Sequence, residues 1–120
     1  MKLSIIIPVY NTEQYIEQCI ESVLNIKGTE NEIIIVNDGS TDRTPEILEK
    51  YEKNYSHIKI FTQENQGASM ARNRGIKECT GDYIYFLDSD DWIETASFEK
   101  IIKKLEKDYE NNEEIDIIVG

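Results

Sequence analysis

Apolar residues along this chain alternate between short unbroken runs and longer stretches with helical spacing. Ile5 to Tyr10 and Ile33 to Val36 are β-branched runs, stopped by Pro8 to Asn11 and by Asn37-Asp38-Gly39, as expected of strands buried on both faces. Between them Tyr15, Ile16, Cys19, Ile20, Val23 and Leu24 recur on one helical face, with Asn11 or Thr12 available as N-cap. The pattern then repeats. Thr44-Pro45 opens a second helix with Ile47, Leu48, Tyr51 and Tyr55 as its apolar stripe, and Ile58 to Thr62 reads as the third strand. After the polar loop Gln63 to Gly67, a helix carrying Ala68, Ala71, Gly75, Ile76 and Cys79 leads to a strand over Tyr83 to Leu87; its small residues predict close packing on the sheet. A last helix, about Thr95 to Tyr109, places Phe98, Ile101, Ile102, Leu105 and Tyr109 on one face. Past the polar stretch Glu110 to Glu114, Ile115 to Val119 reads as a fifth strand.

Strands alternating with helices of crossover length predict an α/β fold: a three-layer α/β/α sandwich with a mainly parallel sheet and right-handed connections. Such sheets bind ligands beyond the C-terminal ends of their strands. At 120 residues one compact domain, 1–120, is expected, with no internal repeat or linker.

Charge narrows the partners. The formal net charge is -11, so no excess of Lys or Arg is available to displace counterions from a nucleic-acid backbone, and an anionic ligand needs a cation beside it. With 39% hydrophobic and 31% charged residues the chain is too apolar for disorder, and no apolar run approaches the roughly 20 residues of a membrane span. The N-terminal run breaks at Pro8 and lacks a small-residue cleavage site, so it reads as a strand and not as a signal peptide. Cys19 and Cys79, the two cysteines, lie among apolar helix residues, which argues against a disulfide framework and fits the cytoplasm.

The polar residues gather at strand ends. Tyr10-Asn11 ends the first strand, Asn37 to Asp42 the second and Asp88-Ser89-Asp90-Asp91 the fourth, all on the same edge of a parallel sheet. Carboxylates at x and x+2 after a buried strand suit a hard cation whose other ligands are water and substrate phosphates, which makes Asp88 and Asp90 candidate metal ligands. The plainer alternative is a solvated loop that caps the following helix. Asn37-Asp38-Gly39 is equally explained as a tight turn with Thr41 or Asp42 as helix cap. Arg72 and Arg74 are two apart on a helix and face different ways, so at most one meets a given ligand; an Arg fork suits a diphosphate or a surface ion pair. His57 is expected at the surface, and Trp92 as a core anchor behind the acidic loop. Neither a Gly-x-Gly-x-x-Gly nor a Walker-type loop follows the first strand.

Four segments together resemble family 2 inverting glycosyltransferases of the GT-A fold: Ile6 to Asn11, Val36 to Asp42, Asn65-Gln66-Gly67 with Ala71-Arg72-Asn73, and Gly81 to Ile84 through Leu87 to Asp91. The resemblance spans nearly the whole chain, in order. It implies that Pro8, Val9, Tyr10, Asp38, Arg72, Asp88 and Ser89 bind a nucleotide-sugar, with Asp38 accepting from the base and Asp88 near the ribose. Asp90, together with Asp88, is implied to hold Mn2+ or Mg2+ on the diphosphate, the family's Asp-x-Asp motif, while Asp91 supports the loop or faces sugar or acceptor. The implied activity is transfer of a sugar, most simply from a UDP-sugar, to a glycan or lipid-linked acceptor in surface polysaccharide synthesis. Family members continue past the equivalent of Gly120, where the catalytic base and most of the acceptor site lie. No catalytic residue is therefore expected in this chain, which should bind donor but transfer little sugar, and whose sheet edge is open to self-association. In the full-length protein a peripheral place at the inner membrane face is expected. Two rivals remain: a non-catalytic nucleotide-sugar-binding module, and a Mg2+-dependent haloacid-dehalogenase-like phosphatase, whose Asp-x-Asp usually opens the domain.

Overall fold

A computed structural model describes residues 1–111 and 117–119, the last three as backbone. The order is β1 (Lys2–Val9), α1 (Ile16–Val23), β2 (Glu30–Asp38), α2 (Thr44–Asn54), β3 (Ile58–Gln63), α3 (Ala68–Glu78), β4 (Tyr83–Phe86), α4 (Thr95–Glu110) and β5 (Ile117–Val119). The strands form one sheet in the order β3-β2-β1-β4-β5, and every pairing is parallel. The expected fifth strand is met over Ile117–Val119; Ile115 and Asp116, like Asn112 to Glu114 and Gly120, lie outside the described residues.

Period-two alternation in the strands sorts side chains into two cores, one on each face of the sheet. Leu3, Ile5, Ile7 and Val9 of β1 with Ile33 and Ile35 of β2 meet Cys19 and Ile20 of α1, Leu48 of α2, and Phe98 and Ile102 of α4. Ile6, Ile34 and Val36 face the other way, onto Ala71 of α3. This is the α/β/α sandwich expected from the sequence. Gly75 of α3 lies directly on Ile6; a Cβ there would collide with the Ile6 Cγ2, so the small residue sets how closely helix and sheet approach.

Several sequence expectations are corrected by packing. Tyr15, Ile101 and Tyr109 fall at the margins of their helical stripes and are exposed, as is Ile76 of α3. Trp92 is also exposed, at 53%, because Ile93 and Leu87 take the apolar positions beneath the acidic loop. Neither Asn11 nor Thr12 caps α1 with its side chain; Tyr15 is the cap residue, and the Thr12 carbonyl accepts from the Tyr15 and Ile16 N–H groups. His57 is half-buried, bonded through Nε2 to the Leu24 carbonyl at 3.2 Å and set edge-on to Tyr55.

Candidate functional site

Because all strands run parallel, the chain leaves β1, β2 and β4 on one edge of the sheet. From β1 the chain builds outward in both directions, to β2 on one side and β4 on the other, and a crevice opens at that switch point. A cavity of about 340 Å³ occupies it, within the range of roughly 300–1,000 Å³ typical of ligand clefts. Pro8, Val9 and Tyr10 from the end of β1, Asp38 from β2, Arg72 from α3, and Asp88, Ser89 and Asp90 from the loop after β4 all line it. Every binding or metal residue expected from the sequence is therefore brought to one place. Thr12, Ala68 and Ala71 also line it, though the sequence did not mark them as binding residues. The two alanines read there as packing residues, yet the same small size that lets α3 approach the sheet keeps this wall of the cavity open.

The loops around the cavity are tied to one another. Asn11, at φ 49°, is the one described non-glycine residue in the left-handed region, where Asn is among the better tolerated residues. That turn aims its Oδ1 at the next loop, where it accepts from the Thr41 N–H at 2.7 Å and the Asp42 N–H at 3.3 Å. Asp42 in turn accepts from the Thr44 N–H at 2.9 Å and the Glu13 N–H at 3.3 Å. Burial works to raise the Asp42 pKa, but these bonds outweigh it and the carboxyl sits below its usual range.

Asp38 is buried and already holds three protein donors: Gln63 Nε2 at 2.9 Å and the Gln66 N–H at 2.8 Å on Oδ1, and the Gly67 N–H at 2.9 Å on Oδ2. Desolvation pushes its pKa up, and the Gln63, Gln66 and Gly67 donors more than reverse that. A carboxylate offers about four acceptor positions, so one remains open on Oδ2. Asp38 thus fastens the segment leading into α3, and with it the placement of Arg72. The pairing of Asp38 with Gln66 and Gly67 had a trace in the sequence, the Asn65-Gln66-Gly67 segment, but no local spacing announces a partner nearly thirty residues away.

The acidic loop is held from below. The Cys19 thiol donates to the Asp88 carbonyl at 3.5 Å, the Ile93 N–H donates to Ser22 Oγ at 3.2 Å, and Thr95 Oγ1 donates to the Ser22 carbonyl at 3.0 Å. Burial, then the negative charges of Asp91, Asp90 and Asp88, push the Cys19 thiol up to about 12, so it stays a neutral donor. Asp91 turns back on its own loop, accepting from the Trp92 N–H at 2.9 Å. Asp88 Oδ1 meets Arg72 Nη2 at 3.3 Å, whereas Arg74 pairs with Glu78 at 3.4 Å and lies over Phe61; the two arginines face different ways, as their spacing requires. Asp90 makes no hydrogen bond or ion pair among the described residues. No cluster of three or more metal-ligating side chains forms among those residues. Two carboxylates, one with both oxygens unpaired and one with a single oxygen engaged, fit a hard cation that takes its remaining ligands from phosphate and water.

A family model, Glycosyl transferase family 2, matches residues 4–112. The chain belongs to that family. The match takes in all three strand-end clusters, and the phosphatase alternative finds no support. The chain is 46% identical over 105 residues to the uncharacterized glycosyltransferase EpsJ of Bacillus subtilis, covering 88% of this chain and 30% of that protein. Among solved structures, S. aureus TarS 1-349 in complex with UDP-GlcNAc superposes with a TM-score of 0.81 at 32% identity, over 91% of this chain and 32% of that one. The mannosyltransferase PcManGT from Pyrobaculum calidifontis, in complex with GDP-Man and Mn2+, shares the fold at 22% identity and a TM-score of 0.76, over 86% of this chain and 32% of that one. The chain thus spans about 30% of the length of EpsJ and of the two solved glycosyltransferase chains.

Proposed function

We propose that this chain is the nucleotide-sugar-binding part of a metal-dependent glycosyltransferase that uses a UDP-sugar. The observation that carries the reading is the convergence of Pro8, Val9, Tyr10, Asp38, Arg72, Asp88, Ser89 and Asp90 on one cavity at the switch point. Tyr10 and the end of β1 offer an apolar wall for a base, and the open position on Asp38 Oδ2 accepts one base N–H. Asp88 and Asp90 hold Mn2+ or Mg2+, which when bound neutralises charge on the departing diphosphate. Arg72 lies within reach of the same phosphates. This chain contributes donor binding and orientation. The proposed activity extends to inversion at the transferred sugar, a glycan or lipid-linked acceptor, and surface polysaccharide synthesis at the cytoplasmic side of a membrane. Pairing of a second copy along the sheet edge belongs to the same proposal.

Calorimetric titration with UDP, GDP and dTDP, each with and without Mn2+, tests it. UDP is expected to bind best and to need the metal. Asp90→Asn is expected to lower Mn2+-dependent UDP affinity at least as much as loss of an outer-sphere partner does, about 10–100-fold. Unchanged affinity in that variant, or binding indifferent to Mn2+, contradicts the assignment.

A further inference from the structure

We propose that Arg72 stands in for the divalent cation while the donor is absent, and that its pairing with Asp88 couples metal entry to nucleotide entry. The inference rests on the donor-binding reading above and adds an order of events to it. Three carboxylates lie within four residues of the acidic loop, in a chain of net charge -11, and they repel one another unless a cation sits among them. Among the described residues Arg72 is the one cation paired with this loop, reaching from α3 to Asp88 Oδ1 at 3.3 Å.

The form of the contact suits exchange. It is a single N–H···O contact and not a two-pronged fork, and both side chains are open to solvent, at 41% and 59% exposed. Exposed pairs of this kind are weak and break readily. A divalent ion on Asp88 and Asp90 meets the guanidinium as a neighbouring positive charge, so metal alone enters against repulsion and must compete for Asp88. A diphosphate changes the balance: its oxygens give Arg72 a new anionic partner, free Asp88, and supply the ion's remaining ligands. Metal and nucleotide then favour each other by the same factor in either direction. Arg74 makes the internal comparison, since it carries the same charge on the same helix but is engaged with Glu78 and Phe61 away from the cavity.

The test follows the free Mn2+ signal by electron paramagnetic resonance as Mn2+ is titrated into the chain, with and without UDP. In Arg72→Gln, Mn2+ alone is expected to bind about two- to fivefold tighter than to the parent, the upper range for an exposed ion pair, and the gain in Mn2+ affinity on adding UDP is expected to shrink. Arg72→Lys, which keeps the charge, should stay near the parent, and Arg74→Gln should change neither quantity. If Arg72→Gln binds Mn2+ alone no tighter than Arg74→Gln does, while the parent still binds Mn2+ with UDP, the coupling role of Arg72 is overturned and donor binding stands. Failure of the parent to bind Mn2+ even with UDP overturns both.

Discussion

Glu32→Ala is expected to lower folding stability by about 2 kcal/mol, because it removes the acceptor that the buried Ser4 hydroxyl and the part-buried Thr80 N–H share. Glu32 lies on β2 at the edge of the sheet opposite the cavity and is almost fully buried. Ser4 Oγ donates to it at 2.7 Å, the Thr80 N–H at 2.6 Å, Thr80 Oγ1 at 3.1 Å and Lys59 Nζ at 3.1 Å, with Lys2 Nζ at 3.6 Å. One carboxylate thereby joins β1, β2, β3 and the turn before β4. Burial alone would raise its pKa, but the bonds from Ser4, Thr80 and Lys59 bring it down from 4.5 to about 2. A carboxyl depressed in the folded state contributes stability that is complete above its unfolded value and is lost as pH falls through the folded one. The parent's advantage over Glu32→Gln is therefore expected in full at pH 7 and should fade between about pH 4.5 and pH 2. Urea unfolding followed by circular dichroism across that range measures both effects. A cost for Glu32→Ala below about 1 kcal/mol, or a gap between parent and Glu32→Gln that ignores pH, refutes this account of the network.

Gly75 tests the other side of the sheet, and there even the sign of the effect is informative. Helix propensity alone favours Gly75→Ala by about 1 kcal/mol. The Cβ it adds would fall on the Ile6 Cγ2 inside the α3 core, and overpacking of that kind costs about 1–3 kcal/mol. Gly75→Ala is therefore expected to destabilise despite its better propensity, and Gly75→Val to cost about 3 kcal/mol. The consequence reaches the cavity, because α3 carries Arg72 and begins at the Gln66 and Gly67 N–H groups that Asp38 holds. Lifting α3 from β1 should weaken UDP binding by more than the unfolded fraction explains. A thermal melt that rises in Gly75→Ala contradicts this packing account.

Much of the fold was legible in the sequence because parallel strands buried on both faces leave long β-branched runs, as in Ile5 to Ile7 and Ile33 to Val36. The gathering of polar strand ends on one edge was legible for the same reason, whereas Pro8 and Val9 as binding residues, and the choice of Arg72 over Arg74, entered through the family resemblance alone. Once the strands run parallel, Tyr10, Asp38 and Asp88 have one edge on which to gather. What stayed hidden depends on distance along the chain. Glu32 drew no notice, since Ser4, Lys59 and Thr80 lie 28, 27 and 48 residues away and leave no local spacing. Asn11 offered itself as a cap for α1, but its side chain is drawn to the loop after β2, which periodicity does not reveal. Trp92 looked like an anchor by its size, whereas the loop geometry turns Ile93 inward instead. Asp38 resembled a base acceptor, and the structure adds its work of fastening the entry to α3.

The measurement that bears most directly on the donor-binding claim is anomalous diffraction from crystals of this chain soaked with UDP and Mn2+. A manganese peak at Asp88 and Asp90 beside the diphosphate is expected, with the base against Tyr10 and Arg72 turned from Asp88 to a phosphate. A cleft without manganese, with Arg72 still on Asp88 and UDP absent or bound elsewhere, would contradict it.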